Sequence, residues 1–313
     1  MIPHINTPLW QRAVEAQQHA HEVTKFMINH DMKDTGLTDS GWRVDQALLG
    51  AGAPYAWSAE TIEAVLAASR SIPLDTRLSR WNLSTPTVWW WFEEPLPFDT
   101  IHRKDHGIRA LSFGWLRADT ESRLGMPCVA WLDNDVIASN RFPIQPSQTW
   151  EWETQHTIAE MLAETREFHE RKYGPGGRYA HIDVVPVEQF MTACEGIARF
   201  VLAGLAWLEQ RILVPRAEHV ERHARKRFER SVGRQLGDVQ LIELRKIEYQ
   251  QDEGNKPRKV DWACRWMVDG HWRHQPCGPG YADRRLTFIM PFVKGPADKP
   301  LRVAPRKVYK VDR

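Results

Sequence analysis

His271, Arg273 and His274 lie within four residues of chain, and Arg284 and Arg285 return after the turn Pro276–Asp283 (PCGPGYAD). That set has the chemistry of metal-independent RNA cleavage. An imidazole serves as general acid or base, and guanidinium groups neutralise the charge that builds on a pentavalent phosphate. Imidazole titrates near neutral pH, as the role demands. His271, Arg273 and His274 are therefore the candidate catalytic residues. No motif fixes their mutual geometry, and a hairpin with its polar residues turned outward explains the same spacing.

A second set of cations reads as phosphate-binding. Arg222, Arg225, Lys226, Arg227 and Arg230, with Phe228 among them, predict a basic helix able to track a nucleic-acid backbone or lie on an acidic surface. Arg284, Arg285 and Lys294 add to this footprint from the following β segment, and Arg302–Arg313 can extend it. His219 and His223 stand one helical turn apart in HVERH, a spacing that lets two imidazoles meet one ion. The sequence is not HExxH, and the surrounding arginines repel a metal. Glu93, Glu94, Asp133 and Asp135 are carboxylates near strand ends, without a metal-nuclease motif around them. No metal site is assigned.

The chain contains no GxxxxGK[ST], no strand-associated GxGxxG, no GxSxG and no kinase signature. Gly174-Pro175-Gly176-Gly177 lacks the phosphate-loop lysine and reads as a linker. Cys128, Cys194, Cys264 and Cys277 form no CxxC pair, so buried free thiols are expected. No cofactor is expected.

The elements that must position these residues follow from periodicity. Leu9–Met27 has helical spacing, and Ser58-Ala-Glu-Thr starts a helix that must stop before Pro73. Thr87–Phe92 (TVWWWF), Ile108–Leu116 and Cys128–Ile137 read as strands. Trp89 and Trp91 face one side of their strand and Trp90 and Phe92 the other, so both faces of that strand are covered. A polar helix is expected over about Thr149–Tyr173, a short strand over His181–Pro186, and a helix from Val187 that is apolar nearly all round. Its charges Glu195, Arg199, Glu209 and Arg211 make it a buried helix rather than a membrane span. After Pro215 a basic helix is expected over Glu218–Arg234. Lys259–Val268 alternates as a half-buried strand, and if it runs past Gly270, then Asp269, His271, Arg273 and Gln275 share a face opposite Trp272. Arg284–Val293 is a further strand and Val308–Val311 can add a last one.

With 313 residues, 42% hydrophobic and 26% charged, the chain can bury a sizeable core without metals or disulfides. Its fifteen tryptophans suit sheet cores with a polar edge. Residues 211–313 hold 24 Lys+Arg against 13 Asp+Glu, or +11, leaving 18 against 27, or −9, for residues 1–210. The expected fold is α+β, with mixed helices and antiparallel sheet: an acidic α+β domain over 1–210, then a basic helix and Trp-rich β-module over 211–313. The start MIPHINTPLW lacks the pattern of a signal peptide, so a cytoplasmic protein without membrane association is expected.

The block Trp266–Pro300, through GHWRHQ, the GPG turn and KGP, resembles a module of uncharacterised actinobacterial proteins encoded by phages, plasmids and chromosomal islands. The likeness extends more weakly through Thr85–Phe92 and Phe190–Leu213. It implies a mobile-element origin and carries no activity, cofactor or catalytic residue. Together with the charge division it leads to the expectation of a mobile-element or phage-defence protein that binds RNA or DNA through its basic C-terminal module. The alternatives are a non-catalytic factor that recognises an acidic host or phage protein, and a metal-independent ribonuclease or toxin.

Overall fold

The computed structural model describes residues 7–29, 53–77, 87–100, 107–114, 116–117, 124–133, 144–153, 156–177, 180–181, 184–245, 263–296 and 299–302. The chain divides into two compact units, residues 1–245 and 246–313. Its architecture is α+β.

In the first unit, α1 (Leu9–Asn29) precedes β1 (Ala53–Trp57) and α2 (Ala59–Ser69). The Thr61 N–H donates to Ser58 Oγ at 3.3 Å, capping α2, and the helix ends four residues before Pro73. Strands β2 (Thr87–Leu96), β3 (Ile108–Gly114), β4 (Leu116–Arg117), β5 (Leu124–Asp133) and β6 (Ile144–Glu153) follow. Helices α3 (Ile158–Tyr173) and α4 (Val187–Glu209), strand β7 (Leu213–Glu218), helix α5 (Arg222–Val232) and strand β8 (Val239–Leu244) complete the unit.

One sheet runs in the order β6, β5, β3, β2, β1, β8, β7, with β4 also paired to β5. It is mixed rather than antiparallel throughout: β1 lies parallel to both β2 and β8, and α2 makes the crossover that parallel β1 and β2 require. β3, β5, β6 and β7 join by antiparallel pairing.

Tryptophan fills both faces of the sheet, as alternation along β2 predicts. On one face Trp57, Trp90 and Phe92 meet Phe200 of α4 and Phe113 packs edge-on against Trp90, with the Trp57 and Trp90 rings 4.5 Å apart and Phe92 and Phe200 5.6 Å apart. Helix α4 comes this close because position 204 is glycine: a Cβ there would stand 2.8 Å from Trp90 and 3.0 Å from Trp57. By length and composition α4 is long and apolar enough to cross a membrane, and most of it is buried within this unit. On the other face Trp89, Trp91, Ala56 and Val239 pack with Ala13, Val14 and Ala20 of α1 and with Phe228 and Val232 of α5.

Several expectations are corrected. Thr149–Glu153 belongs to β6, and the helix begins only at Ile158, where Thr157 and Glu160 form a reciprocal capping box. Glu218–Arg234 divides into the end of β7 and the shorter α5, because Leu213–Glu218 pairs with β8 instead of coiling. No strand forms over the described residues of His181–Pro186. The division after Gln210 marks a change of charge and not of structure, since β7, α5 and β8 complete the first unit's sheet and core.

The second unit holds two small sheets. β9 (Arg265–Val268) pairs with β12 (Phe292–Lys294) and β13 (Leu301–Arg302). β10 (His271–Cys277) and β11 (Asp283–Ile289) form a separate antiparallel hairpin. The strand expected from Lys259 is described only over Arg265–Val268, and it ends before Asp269, so β9 and β10 lie in different sheets. Lys259–Trp262, Val308–Val311 and the basic tail after Arg302 lie outside the described residues.

Candidate nucleic-acid interface

The register of the hairpin sorts its side chains. Residues paired across an antiparallel ladder share a face. Trp272 stands opposite Phe288 and His274 opposite Leu286, whereas Arg273 stands opposite Thr287 and Gln275 opposite Arg285. Trp272, Leu286 and Phe288 are buried, with the Trp272 and Phe288 rings 4.9 Å apart, and they form the apolar side of the hairpin. His271, Arg273, Gln275 and Arg285 occupy the other side, where His271, Arg273 and Arg285 are exposed. The parity expected for His271, Arg273 and Gln275 against Trp272 holds, although the strand begins afresh at His271.

On that face Arg273 and Arg285 are diagonal neighbours, a relation that sets residues roughly 7–8 Å apart. Arg273 donates to the Gln275 carboxamide oxygen, which orients its guanidinium without neutralising it. Arg285 has no side-chain partner among the described residues. His271 Nδ1 lies 3.0 Å from the Asp269 carbonyl oxygen, which can only accept, so Nδ1 is the donor in this contact.

The expected catalytic set does not assemble. His274 falls on the Trp272 side, across the strand from His271 and Arg273, so the two imidazoles cannot flank one phosphate. The physical reason is the period of two along an extended chain.

The tip of the hairpin is held in an uncommon conformation. Gly278 has φ +76, where a side chain is strained and where a Cβ would also press on the Asp283 carboxylate at 2.6 Å. Tyr281 has φ +58 and is 73% exposed. A bulky residue in the left-handed region costs on the order of 1–3 kcal/mol. Arg284 fixes it there: its Nη1 donates to the Tyr281 carbonyl at 2.9 Å and to that of Asp283 at 3.3 Å.

In the three-stranded sheet, Trp266 of the middle strand stands beside Lys294 on one side and Arg302 on the other. Lys294 Nζ is 5.9 Å from the Trp266 ring centroid. Met267 and Val293 share the opposite face and are both exposed. Residues 263–296 and 299–302 carry seven Lys+Arg and two Asp, and Arg273, Arg284 and Arg285 form no ion pair among the described residues.

Helix α5, in the first unit, differs. Arg225 pairs with Asp238 at 3.1 Å and Arg227 with Glu15 of α1 at 3.3 Å, while Ser231 donates to Glu22 at 3.0 Å. Two of its five expected phosphate ligands are thus engaged with the protein's own carboxylates. Arg222, Lys226 and Arg230 follow one another at helical spacing, exposed and without an ion-pair partner among the described residues.

His219 precedes α5 and approaches Asp238 at 3.5 Å, so it is not one turn from His223 on a helix, and no group of three His, Cys, Asp or Glu among the described residues can hold a metal. Glu93 accepts from Arg12 Nη2 at 2.8 Å and from the Ala59 N–H at the start of α2 at 3.1 Å, tying α1, β2 and α2 together. Glu94 is exposed. Asp135 and the side chain of Asp133 lie outside the described residues. Cys194, Cys264 and Cys277 are free thiols. In α3, His169 is buried against Tyr173 and Phe190. Burial is the main cause that holds its imidazole below the usual histidine range, and nearby Arg166 adds to it.

No protein-family model matches the sequence, and no curated protein matches it. Among solved structures the chain is similar to the crystal structure of AcrVA2, at 12% identity over 90% of this chain and 92% of that one, with a TM-score of 0.37.

Tyr281, Gln275 and Trp266 were not singled out as site residues from the sequence. The visible signal for Tyr281 is an aromatic residue placed directly after Gly-Pro-Gly, where a turn has no core to offer it.

Proposed function

We propose that this chain binds nucleic acid through the cationic face of the β10–β11 hairpin, with Arg273 and Arg285 on phosphates and Gln275 and His271 as hydrogen-bonding neighbours. The observation that carries the reading is the diagonal placement of Arg273 and Arg285 on one exposed face that Asp283 ends, with neither arginine in an ion pair among the described residues. Like charges so arranged destabilise a free hairpin and are relieved by a polyanion. Lys294 and Arg284 are further phosphate contacts under this reading, and the exposed row Arg222, Lys226 and Arg230 is a separate candidate contact on the first unit. The resemblance of Trp266–Pro300 to the mobile-element module supports a setting in a mobile element or phage-defence system.

The test is a titration of labelled 20-mer RNA and DNA with the full chain over a series of salt concentrations. Binding is expected to weaken steeply with salt, and Arg273→Ala/Arg285→Ala to lower the affinity and reduce the log–log slope by roughly 1.5. Absence of binding at low salt contradicts the proposal. Arg171→Ala, at an exposed position of α3, is the control for loss of an unrelated cation and is expected to change neither quantity.

The exposed pair Met267 and Val293 favours a second reading, recognition of an acidic protein, because such a partner covers apolar surface as well as charge. Capture from host extract that survives nuclease treatment and is lost in Met267→Ser/Val293→Ser supports it, whereas capture abolished by nuclease removes it.

A further inference from the structure

We infer that the hairpin selects unpaired nucleic acid, with the Tyr281 ring stacking on a base while Arg273 and Arg285 hold the flanking phosphates. This inference rests on the proposed nucleic-acid reading and deepens it by naming the strand state and the base-contacting residue. Three observations converge on Tyr281. It is the most exposed large hydrophobic residue among those described, at 73%. Its backbone is in the left-handed region at φ +58, a position that glycine would occupy at no cost. The guanidinium of Arg284 holds its carbonyl, so that strain is maintained by a bond within the tip itself.

An aromatic ring that is 73% exposed and sits on a strained backbone contributes little to folding. Strain kept in this way at a loop tip points to a ligand. The ligand's chemistry follows from the surroundings. Cations on the strand directly after the ring attract phosphate, and an aromatic face accepts any base, since every base has a π surface. In a duplex the bases are already stacked on each other, so the ring finds no partner there and only the phosphate contacts remain. Trp266, flanked by Lys294 and Arg302, offers the same pairing of ring and cation within the second unit.

The experiment compares the full chain with Tyr281→Gly, Tyr281→Phe and Arg273→Ala/Arg285→Ala on single-stranded RNA, single-stranded DNA and a duplex of the same sequence. A 2-aminopurine in the single strands reports stacking. The native chain is expected to prefer both single strands to the duplex and to quench 2-aminopurine. Tyr281→Gly is expected to lose about 10-fold or more in single-strand affinity together with the quenching, to keep its duplex affinity and salt slope, and to unfold at the same or a higher temperature. Tyr281→Phe should retain both binding and quenching. If Tyr281→Gly binds single strands as tightly as the native chain while the arginine variant does not, the stacking inference is overturned and the phosphate reading stands. Equal losses on single strands and duplex also overturn it. If the native chain binds none of the three, both fall. Different affinities for the RNA and DNA single strands, each lost in Tyr281→Gly, support the inference and identify which sugar is preferred.

Discussion

Helix α5 carries five Lys and Arg and the β10–β11 hairpin three, and the two are built in opposite ways. On the helix, Arg225 and Arg227 reach Asp238 and Glu15, and Phe228 and Val232 anchor the segment in the core beside Trp89 and Trp91. On the hairpin, Arg273 and Arg284 use neutral oxygens of Gln275, Tyr281 and Asp283, and their charge remains uncompensated. Two basic segments of sequence therefore divide into one that ties two of its five cations into the scaffold and one whose arginines meet only neutral oxygens or no side-chain partner among the described residues. Counting arginines along a chain does not separate these cases, whereas locating their counter-charges does.

The widest separation between the two regions is expected in stability. Phe228→Ala should cost about 3–5 kcal/mol by urea unfolding of the full chain, because it opens a cavity under α5. A cost below about 1 kcal/mol would mean that the helix is not anchored to the sheet. Gly204→Ala, on the opposite face of the same sheet, should cost about 1–3 kcal/mol by forcing apart Trp57 and Trp90. No hairpin arginine should approach these values.

Arg225→Ala and Arg227→Ala sharpen the comparison further. Each breaks a partly exposed ion pair, so each should cost no more than about 1 kcal/mol and leave nucleic-acid affinity unchanged. The hairpin variants should show the reverse, with affinity lost and stability kept. His274→Ala, on the apolar side of the hairpin, should leave affinity unchanged. A loss equal to that of Arg273→Ala would break the assignment of faces.

The smallest expected effect concerns pH. The folded chain holds the His169 imidazole below the ordinary value of 6.5, chiefly by burial. As pH falls through that value the unfolded chain takes up a proton that the folded chain refuses, so stability is full above it and declines below. His169→Phe should flatten this part of the stability profile. An unchanged slope would show that other groups set it.

Much of the fold was legible in the residues. The capped start of α2, the two-sided burial of Thr87–Phe92 and the apolar circumference of Val187–Glu209 each follow from periodicity and capping rules. β1 was not read from Ala53–Trp57, because a fully buried parallel strand has no alternation to reveal it. Leu213–Glu218 was masked by Pro215, which an edge strand tolerates when its missing N–H is not needed. At the candidate site, alternation placed His271, Arg273 and Gln275 opposite Trp272 only if one strand ran past Gly270; it does not, and the same parity arises from the separate strand β10, which also sends His274 to the other side. The engagement of Arg225 and Arg227 could not be read, since Asp238 and Glu15 come from other elements. Tyr281 owes its prominence to a backbone angle that no composition rule supplies.

The central claim is that uncompensated charge on the hairpin, and not basic charge in general, binds nucleic acid. The direct measurement is the salt dependence of single-strand binding by Arg273→Ala/Arg285→Ala beside Arg225→Ala/Arg227→Ala, two variants that lose the same formal charge. The account predicts a weakened, shallower dependence for the hairpin pair and the native curve for the helix pair. Superimposable curves for the two variants would contradict it.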